Sequence, residues 1–464
     1  MRRTSTGNAA LDSVLGGGLV SDAINMVVGA PGSGKTILAQ QCLFANATAE
    51  RPGLYLSTAS EPLDKLLRYG QALTFFDVEA VDRSIFYDDL GAALTGEGLK
   101  GVLDRVDALV KTHRPGMVVI DSFKVMRAFA SDEADFRCFL RDLAGKFTAL
   151  AISALWVGEY TGAEDNNPAE FAVADTVIAL ETRWSGERSV RLLAVRKQRG
   201  GGFLSGEHFY RITADGIQMF PRLADPRNDI AYTLADARLS SGVPALDAVL
   251  ETGYLCGSAT VVVGPSGVGK TVMGLHFVYA GRGQDETAVV LALQENRAQL
   301  SRSVGRFGWS IDDPRVTVLD RSPVDVYMDE IIYEVLDTIE RTGARRVLID
   351  ALGDLALTAS DSRRFYEFVY SFVQRCCQMG VTVMFTYEVV ELFDTTRLSQ
   401  SGVSNIADNI ILLQYVRDEE QLKRSVTILK SRASDHSSVA RQFRISDDGI
   451  LLGDPIVPAS RRKE

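Results

Sequence analysis

Short runs of apolar, often β-branched residues alternate with longer stretches of helical periodicity along the whole chain. The runs at 26–28 and 260–263 each lead directly into a glycine-rich stretch, and helical patterns over 37–47 and 272–280 follow. Two more apolar runs, 117–120 and 346–349, each end at an aspartate. Continuous apolar strands separated by helices are typical of a mostly parallel sheet covered on both faces. The pattern therefore predicts an α/β fold that occurs twice.

The repeat is visible in the sequence itself. Residues 5–12 return at 240–247, and the glycine-rich residues 29–36 return at 264–271. The segments around Asp175 and 212–217 return around Asp408 and at 445–450. A unit of this length indicates duplicated domains and not a solenoid, whose units are far shorter. A polar segment with two prolines, 221–229, suits the connection, so we expect domains at 1–225 and 226–464.

Composition narrows the class of protein. The chain has 464 residues, 46% hydrophobic and 24% charged, as expected of a folded globular protein. The apolar runs are shorter than the ~20 residues that span a bilayer, and no secretory h-region follows the first residues. We therefore expect a cytoplasmic protein without a membrane segment. A formal net charge of −10 makes nucleic acid a weaker partner than nucleotide.

The cysteines lack the paired spacing of zinc or redox sites. Because all of them lie in apolar surroundings, we expect buried packing residues at Cys42, Cys138, Cys256, Cys376 and Cys377.

Two copies of the motif GxxxxGK[ST] carry the strongest chemical signal. Each lies between a predicted strand and a predicted helix, as a phosphate loop requires. Its glycines let backbone N–H groups surround phosphate oxygens, its lysine reaches the β and γ phosphates, and its threonine offers a hydroxyl to Mg²⁺. We therefore predict ATP-binding residues at Gly29, Ala30, Pro31, Gly32, Ser33, Gly34, Lys35 and Thr36, and at Gly264, Pro265, Ser266, Gly267, Val268, Gly269, Lys270 and Thr271.

The aspartates at the ends of the later apolar strands complete this pattern. Asp121 and Asp350 fit the Walker B position that holds Mg²⁺ through water. The other interpretation is an aspartate that caps a helix or turn. The magnesium site would then combine Thr36 with Asp121 and Thr271 with Asp350.

These motifs together resemble the KaiC branch of the RecA/RadA ATPases, and the resemblance covers nearly the whole chain. The segment 408–416, Asp-Asn-Ile-Ile-Leu-Leu-Gln-Tyr-Val, resembles the second domain of that family most closely. The resemblance implies two tandem RecA-like domains, a two-tiered hexameric ring, and ATP bound at subunit interfaces with Mg²⁺. Each site would then be completed by a neighbouring subunit.

Residues for such completion follow the strands at 190–195 and 425–429. The family uses a Lys-x-Arg pair in trans, which corresponds here to Lys197 with Arg199 and to Lys430 with Arg432. A spacing of two places both cations on one face of a strand. Without the resemblance, a solvated charge pair is the simpler interpretation. The family also implies that Ser434 and His436 line the nucleotide, whereas the first half has Gly201 and Phe203 there.

The catalytic carboxylates depart from the family, whose domains carry a Glu-Glu pair after the strand that follows the phosphate loop. The second half has Gln294 and then Glu295, so only the second member remains. The first half has neither in register, and Glu61 stands one residue late. The predicted catalytic residues are therefore Glu295 and Lys270, with Lys35 and Glu61 in a first site that hydrolyses ATP poorly.

The family also phosphorylates an adjacent Ser-Thr pair in its second domain. Here only Ser404 remains, since Asn405 replaces the threonine. Gln294 cannot accept a proton as the lost glutamate would, so Ser404 is a candidate for weak autophosphorylation at most.

Three functions remain open from the sequence. The first is a ring-forming ATPase whose nucleotide state signals to a protein partner. The second is a RecA/RadA-type DNA-dependent ATPase, which needs a basic loop along the phosphate backbone, although the candidate loops at 159–170 and 388–404 are mostly acidic. The third is a scaffold stabilised by ATP with little hydrolysis.

Overall fold

The computed structural model describes residues 2–58, 63–160, 168–185, 188–223, 236–322, 327–359, 361–389, 403–418, 421–432 and 436–456. The chain divides into two compact units, which we call unit 1 (Met1–Arg222) and unit 2 (Leu223–Glu464).

Unit 1 is built from strands and helices in alternation. Its strands are β1 Arg3–Thr4, β2 Leu19–Val20, β3 Ile24–Gly29, β4 Gly53–Ser57, β5 Ile85–Asp89, β6 Met117–Asp121, β7 Ser153–Gly158, β8 Thr176–Ser185, β9 Arg188–Gln198, β10 Glu207–Thr213 and β11 Gly216–Phe220. Its α-helices are α1 Ala9–Val14, α2 Lys35–Asn46, α3 Leu63–Gly70, α4 Gly91–His113, α5 Glu133–Ala149 and α6 Ala169–Val173.

Unit 2 repeats this order. Its strands are β12 Arg238–Leu239, β13 Tyr254–Leu255, β14 Ala259–Gly264, β15 Ala288–Ala292, β16 Val316–Asp320, β17 Arg346–Asp350, β18 Thr382–Glu388, β19 Asn409–Asp418, β20 Gln421–Ser431, β21 Arg441–Ser446 and β22 Gly449–Pro455. Its α-helices are α7 Pro244–Val249, α8 Lys270–Ala280, α9 Arg297–Gly305, α10 Met328–Thr342, α11 Leu352–Ala356, α12 Ser362–Gln378 and α13 Val403–Ile406.

Each unit contains one large sheet with the same strand order among its described residues. The order in unit 1 is β11-β10-β9-β8-β3-β7-β6-β4-β5, and in unit 2 it is β16-β15-β17-β18-β14-β19-β20-β21-β22, read from the opposite edge. The strands from β3 to β8 and from β14 to β19 pair in parallel. The remaining three pair antiparallel at one side. The predicted pair of mostly parallel α/β domains is confirmed.

Both faces of each sheet are covered, since the central strands β3, β7, β14 and β17 are mostly apolar and buried at every position. Val118 and Ile120 of β6 pack with α4 and α5, whereas Val119 packs with α1 and α2. Since side chains alternate across a strand, Asp121 at the end of β6 falls on the α2 face. The same alternation in β17 puts Leu348, and therefore Asp350, on the face covered by α8.

The prediction for the cysteines is only partly right. Cys42 and Cys376 are buried, whereas Cys256 and Cys377 are half-buried and Cys138 is exposed. Cys138 lies on α5, whose buried side is formed by Phe136, Phe139, Leu140, Leu143 and Phe147. Its position between two core residues at helical spacing turns it outward. None of the helices that the structure describes is both long and apolar enough to cross a membrane.

Candidate functional site

The two glycine-rich loops connect β3 to α2 and β14 to α8 at the carboxyl end of each central strand. Gly34 and Gly269 precede these helices in the left-handed region, with φ of 92° and 114°, where only glycine is unstrained. Neither N-terminus has a side-chain cap. The first N–H groups of α2 and α8 therefore remain available for an anion, and the helix dipole favours one there.

The first glycine of each motif is required by packing. A Cβ atom at Gly29 would stand 2.2 Å from the carbonyl oxygen of Leu180, and one at Gly264 would stand 2.5 Å from that of Leu413. The neighbouring strands β8 and β19 thus approach the loops too closely for any side chain at these positions.

Each loop lysine is buried and folds back over its own loop. Lys35 Nζ donates to the carbonyl oxygen of Ala30 at 2.8 Å, and Lys270 Nζ donates to that of Pro265 at 2.9 Å. The same nitrogen atoms lie 3.9 Å from Glu159 and 3.4 Å from Glu388. Burial lowers the pKa of Lys35, and the carboxylates of Glu159 and Asp121 oppose that shift.

The predicted magnesium residues of unit 1 lie together. Thr36 Oγ1 donates to Asp121 Oδ2 at 2.8 Å, and Tyr55 Oη donates to the same oxygen at 2.7 Å. Tyr55 belongs to β4, which is the neighbour of β6 in the sheet. A hydroxyl and a carboxylate of this kind are the hard oxygen groups that suit Mg²⁺, held directly or through water.

Unit 2 holds the corresponding aspartate with a different second donor. Thr271 Oγ1 donates to Asp350 Oδ2 at 2.7 Å, and the hydroxyl of Thr386 on β18 donates to Oδ1. Burial raises the pKa of Asp350, while the bonds from Thr386 and Thr271 and the charge of Lys270 counteract the shift. Asp350 therefore ionises most readily when a cation lies beside it.

Glu295 follows β15 and is half-buried. Burial and the charge of Asp350 raise its pKa, against a hydrogen bond from Ser303. Its Oε2 atom is buried without a hydrogen-bond partner among the described residues. By contrast, Gln294 is exposed. A carboxylate that is half-buried and close to another negative charge is stabilised when it accepts a proton, and accepting a proton is the role of a general base.

The cavity of unit 1 opens directly from its phosphate loop and has a volume of about 730 Å³. Lys35, Thr36, Tyr55 and Asp121 line it beside that loop. Residues of α2 and α3 line it as well, as does Ile212 of β10, which lies close to Gly34.

The two Lys-x-Arg pairs lie far from the phosphate loop of their own unit. Lys197 pairs with Val177 near the start of β8, whereas Leu180 pairs with Gly29 at the loop. Residues 26–29 of β3 span roughly 10 Å between these levels, at ~3.3 Å per residue. The corresponding register places Lys430 beside Ile410, near the start of β14. Neither pair can complete the site in its own unit.

Both pairs instead bind the end of a short helix. Lys197 Nζ donates to the carbonyl oxygens of Phe171 and Ala172 at 2.7 and 3.1 Å, and Arg199 donates to that of Ala172 at 3.0 Å. Burial, and then the charge of Arg199, lower the pKa of Lys197.

In unit 2, Lys430 Nζ donates to the carbonyl oxygens of Ser404 and Ala407, at 2.9 and 2.7 Å, and Arg432 donates to that of Asn405 at 2.9 Å. Ser404 is half-buried on α13, and α13 precedes β19 at the end of the sheet opposite Lys270. His436 is half-buried beyond the end of β20.

Several sequence-predicted positions lie outside the described residues. They are Glu61, Ser434 and most of the two acidic loops, 161–167 and 390–402. Phe203, which replaces the histidine position in unit 1, packs against the core of that unit.

Sequence reasoning missed Tyr55, Thr386, Glu159 and Glu388. The two hydroxyls reach the Walker B aspartates only because their strands are sheet neighbours of β6 and β17. Glu159 and Glu388 stand at or just after the ends of β7 and β18. Parallel strands end at the same edge of a sheet, where the phosphate loops also lie. A carboxylate directly after an apolar run was therefore the sequence signal for a residue near the loop.

Comparison with known proteins agrees with this geometry. The family model described as "ATPase: KaiC" matches residues 4–224 and 239–455. The circadian clock oscillator protein KaiC of Rippkaea orientalis is 27% identical over 98% of this chain and 89% of that protein. In Synechocystis sp., the circadian clock oscillator protein KaiC 1 is 28% identical over 96% of this chain and 87% of its own length. The circadian clock protein KaiC3 of the same organism is 27% identical, over 98% and 92%.

Proposed function

Because the chain belongs to the KaiC family of ATPases, we propose that it binds Mg²⁺-ATP in both units and hydrolyses it mainly in unit 2. Hydrolysis changes the bound nucleotide from ATP to ADP, and a protein partner recognises this change of nucleotide state. The chain acts as a homo-oligomer, a hexameric ring in which each ATP lies between two subunits.

Binding of the triphosphate is supported by the loop geometry of both units. The uncapped N-termini of α2 and α8 offer backbone N–H groups, and Lys35 and Lys270 offer one cation each. When ATP enters, each lysine exchanges its loop carbonyl for phosphate oxygens, which carry more charge. Mg²⁺, when bound beside Thr271 and Asp350 or Thr36 and Asp121, neutralises charge on the β and γ phosphates.

Hydrolysis in unit 2 is supported by Glu295. Its Oε2 atom is buried without a partner among the described residues, and its raised pKa strengthens the carboxylate as a base for the proton of an attacking water. Lys270 binds the phosphate on which negative charge develops. The segment at the equivalent position of unit 1 reads Ala59-Ser60, which provides no carboxylate there. Unit 1 therefore binds ATP and turns it over slowly.

The ring is supported by one observation above all, the separation of each Lys-x-Arg pair from its own phosphate loop. Lys430 and Lys197 lie at the amino ends of the parallel strands, whereas the loops lie at the carboxyl ends. A second subunit can bring the two together, with Lys430 and Arg432 of one chain facing the γ-phosphate of the next. Heterologous contacts, in which two different surfaces of the same chain meet, form rings when the rotation between subunits closes.

Complementation between two inactive chains tests this proposal. One variant carries Lys270→Ala and the other carries Lys430→Ala with Arg432→Ala, and ATP hydrolysis is measured for each alone and for their mixture. In the mixture some interfaces combine an intact loop with an intact Lys-x-Arg pair, so we expect phosphate release to recover to about a quarter of wild type with random mixing. The matched control, Lys35→Ala in place of Lys270→Ala, retains most activity alone.

Two outcomes would contradict the proposal. If the mixture is as inactive as its components although both chains co-assemble on a sizing column, the Lys-x-Arg pair does not act between subunits. If the wild-type chain itself releases no phosphate while ATP still increases its mass, the scaffold is the correct function.

Phosphorylation of Ser404 follows the same geometry. Ser404 lies at the opposite end of the sheet from Lys270, so the phosphate loop of its own unit 2 cannot reach it, and a neighbouring chain would supply the ATP. We expect a weak transfer, since Gln294 is neutral, detectable as radiolabel from γ-labelled ATP. Ser404→Ala should abolish that label and leave phosphate release unchanged.

A further inference from the structure

The short helix α6 of unit 1 is bound by charged side chains at both of its ends. At its carboxyl end, Lys197 and Arg199 donate to backbone carbonyl oxygens. Near its amino end, the side chain of Glu170 is fully buried, with 0% exposed. The five residues of this helix therefore join the Lys-x-Arg pair to a buried carboxylate outside the phosphate-loop motif.

The carboxylate of Glu170 is bonded through both of its oxygen atoms. Tyr160 Oη donates to Oε1 at 2.9 Å, and Arg127 Nη1 donates to Oε2 at 3.2 Å. Arg127 also pairs with Glu133 at the start of α5. Burial of a charge requires such partners, and here they fix Glu170 in one position relative to the neighbouring elements.

Arg127 connects this network to the metal side of the same unit. It lies on the 3₁₀ helix Phe123–Phe129, which begins two residues after Asp121 at the end of β6. A path of covalent and hydrogen bonds therefore runs from the end of β6 through α6 to the Lys-x-Arg pair.

The bonds to α6 determine where Lys197 directs its remaining donor. An ammonium group has three N–H donors, and the described contacts use two of them, to the carbonyl oxygens of Phe171 and Ala172 at 2.7 and 3.1 Å. The direction of the third donor is then fixed relative to the helix. The orientation of α6 therefore sets the direction in which Lys197 can meet a phosphate oxygen.

Unit 2 forms the corresponding helix without these polar groups. When the duplicated strands are aligned, Ala356, Val389 and Val403 stand where unit 1 has Arg127, Tyr160 and Glu170. The fold therefore does not require the three polar side chains. Since apolar residues in place of a buried ion pair are often neutral or stabilising, stability alone does not account for Glu170.

The two helices also differ in their apolar packing. Ile406 of α13 is 8% exposed and belongs to the core of unit 2, whereas Val173 at the same position of α6 is only partly buried. The directional bonds of Glu170 provide the orientation that apolar packing gives to α13. Because Glu170 and Phe171 are consecutive, a shift of this carboxylate would also move the carbonyl oxygen that accepts from Lys197.

We propose that Glu170 is a positioning residue, which fixes α6 so that Lys197 and Arg199 face the γ-phosphate bound by unit 1 of a neighbouring chain. The inference rests on the proposed function, since it requires that this pair completes the neighbour's site. Glu170 acts only through α6 and has no part in the chemical step.

The test isolates unit 1 by Lys270→Ala in the full chain and compares AMP-PNP with ADP, which lacks the γ-phosphate. Equilibrium binding is measured at a concentration where a sizing column shows the assembly. We expect Glu170→Gln to weaken AMP-PNP binding roughly fivefold and ADP binding less than about twofold. Lys197→Ala with Arg199→Ala should also weaken AMP-PNP selectively, and adding Glu170→Gln to that chain should cause no further loss.

Asp88→Asn is the matched control. It breaks another ion pair of unit 1, in which Arg105 Nη2 lies 2.6 Å from Asp88 on the edge strand β5, and it should bind both nucleotides like the reference chain. If urea denaturation shows that Glu170→Gln is unfolded, the triple variant Arg127→Ala, Tyr160→Val and Glu170→Val installs the residues of unit 2. The triple variant should show the same selective loss of AMP-PNP binding.

Three results would overturn the inference. Equal losses for AMP-PNP and ADP would show that Glu170 only supports the fold. A further loss on the background of Lys197→Ala with Arg199→Ala would show that Glu170 acts independently of the pair, and unchanged affinities would show that it positions nothing. If Lys197→Ala with Arg199→Ala itself binds AMP-PNP like the reference chain, the proposed completion by a neighbour fails, and the inference fails with it.

Discussion

Tyr55 donates its hydroxyl to Asp121 Oδ2 at 2.7 Å, the same carboxylate oxygen that accepts from Thr36. Unit 2 has no tyrosine at this point, because Val290 replaces it on β15, and Thr386 on β18 donates to Asp350 in its place. Unit 1 in turn has Val157 where unit 2 has Thr386. The two copies thus hold the same aspartate with a second donor from different strands.

Removing this donor should destabilise unit 1. Tyr55 is 1% exposed, and Phe keeps its shape, so Tyr55→Phe removes the hydrogen bond and little packing. A hydrogen bond to a charged group contributes ~1.5–3 kcal/mol. We expect the free energy of unfolding of unit 1 to fall by about 2 kcal/mol, measured by urea denaturation of the full chain.

Tyr87→Phe is the matched control for this prediction. Tyr87 lies opposite Tyr55 on the neighbouring strand β5, and its hydroxyl is buried without a partner among the described residues. Its removal should leave stability unchanged or slightly higher. Equal losses in both variants would mean that the bond to Asp121 contributes nothing specific.

Glu295 should set the acidic limit of hydrolysis. Burial and Asp350 raise its pKa above the ordinary 4.5, and only the ionised carboxylate accepts a proton. Activity should therefore fall, as pH decreases, at a pH above the ordinary glutamate value. The measurement is kcat for phosphate release against pH, and Glu295→Gln should lower kcat by about 10²–10⁴-fold at neutral pH.

Stability should change with pH in the opposite sense at this residue. Because the folded state holds the proton of Glu295 more tightly than the unfolded chain, the protonated form stabilises the fold at low pH. That contribution disappears as pH rises from the ordinary to the raised pKa.

Asp337→Asn is the control for the acidic limit of hydrolysis. Burial also raises the pKa of Asp337, but Asp337 is on α10, outside the site. A shifted acidic limit in this variant would exclude Glu295 as its origin.

The buried ion pair Arg346–Glu286 should be essential to unit 2 and replaceable as a pair. Arg346 is fully buried, and its Nε atom lies 2.7 Å from Glu286. Glu286→Ala leaves an uncompensated buried charge and should cost about 3–5 kcal/mol of unfolding free energy. Unit 1 has Met117 in place of Arg346, so adding Arg346→Met should restore much of the loss.

A pair with a fully exposed arginine gives the control for that measurement. Arg363 and Glu367 on α12 are 89% and 28% exposed, and Glu367→Gln should change unfolding by under about 0.5 kcal/mol. If Glu286→Ala behaves like Glu367→Gln, the buried pair is not a significant part of the stability of unit 2.

Glu388 should compete with ATP for Lys270. Its carboxylate lies 3.4 Å from Lys270 Nζ, and the partly exposed pair contributes at most ~1 kcal/mol. Glu388→Gln should therefore tighten ATP binding at unit 2 up to about fivefold, measured in the Lys35→Ala chain. Glu159→Gln in the same chain alters only unit 1 and should have no effect, whereas weaker binding in Glu388→Gln would show that this carboxylate supports the nucleotide.

The fold and the phosphate loops could be predicted because their signals are local. A glycine turn between a strand and a helix, with Lys35 or Lys270 at the helix start, is recognisable within eight residues. The contacts of Tyr55 and Thr386 were not predictable in this way. They depend on which strands are neighbours in the sheet and on which face each residue falls, and both follow only from the assembled topology.

Burial was also hard to predict at single positions. Cys138 has apolar neighbours in sequence but faces outward, since a helix turns about 100° at each residue. Gln40 and Gln41 are alike in sequence, yet Gln41 bonds to the backbone of Ile217 and Gly7, whereas Gln40 Nε2 has no hydrogen-bond partner in the described part of the chain.

The position of the Lys-x-Arg pairs gives every unit two different sides, one with a phosphate loop and one with cations. If a neighbouring chain completes each site as proposed, an open row of chains leaves one incomplete site in each of the two units at its end. Closure removes that end, so the number of complete sites in each unit equals the number of chains only in the closed assembly. Turnover per chain should then rise with assembly size and reach its full value at closure. The rate of ATP hydrolysis per chain would therefore report how many subunits have assembled.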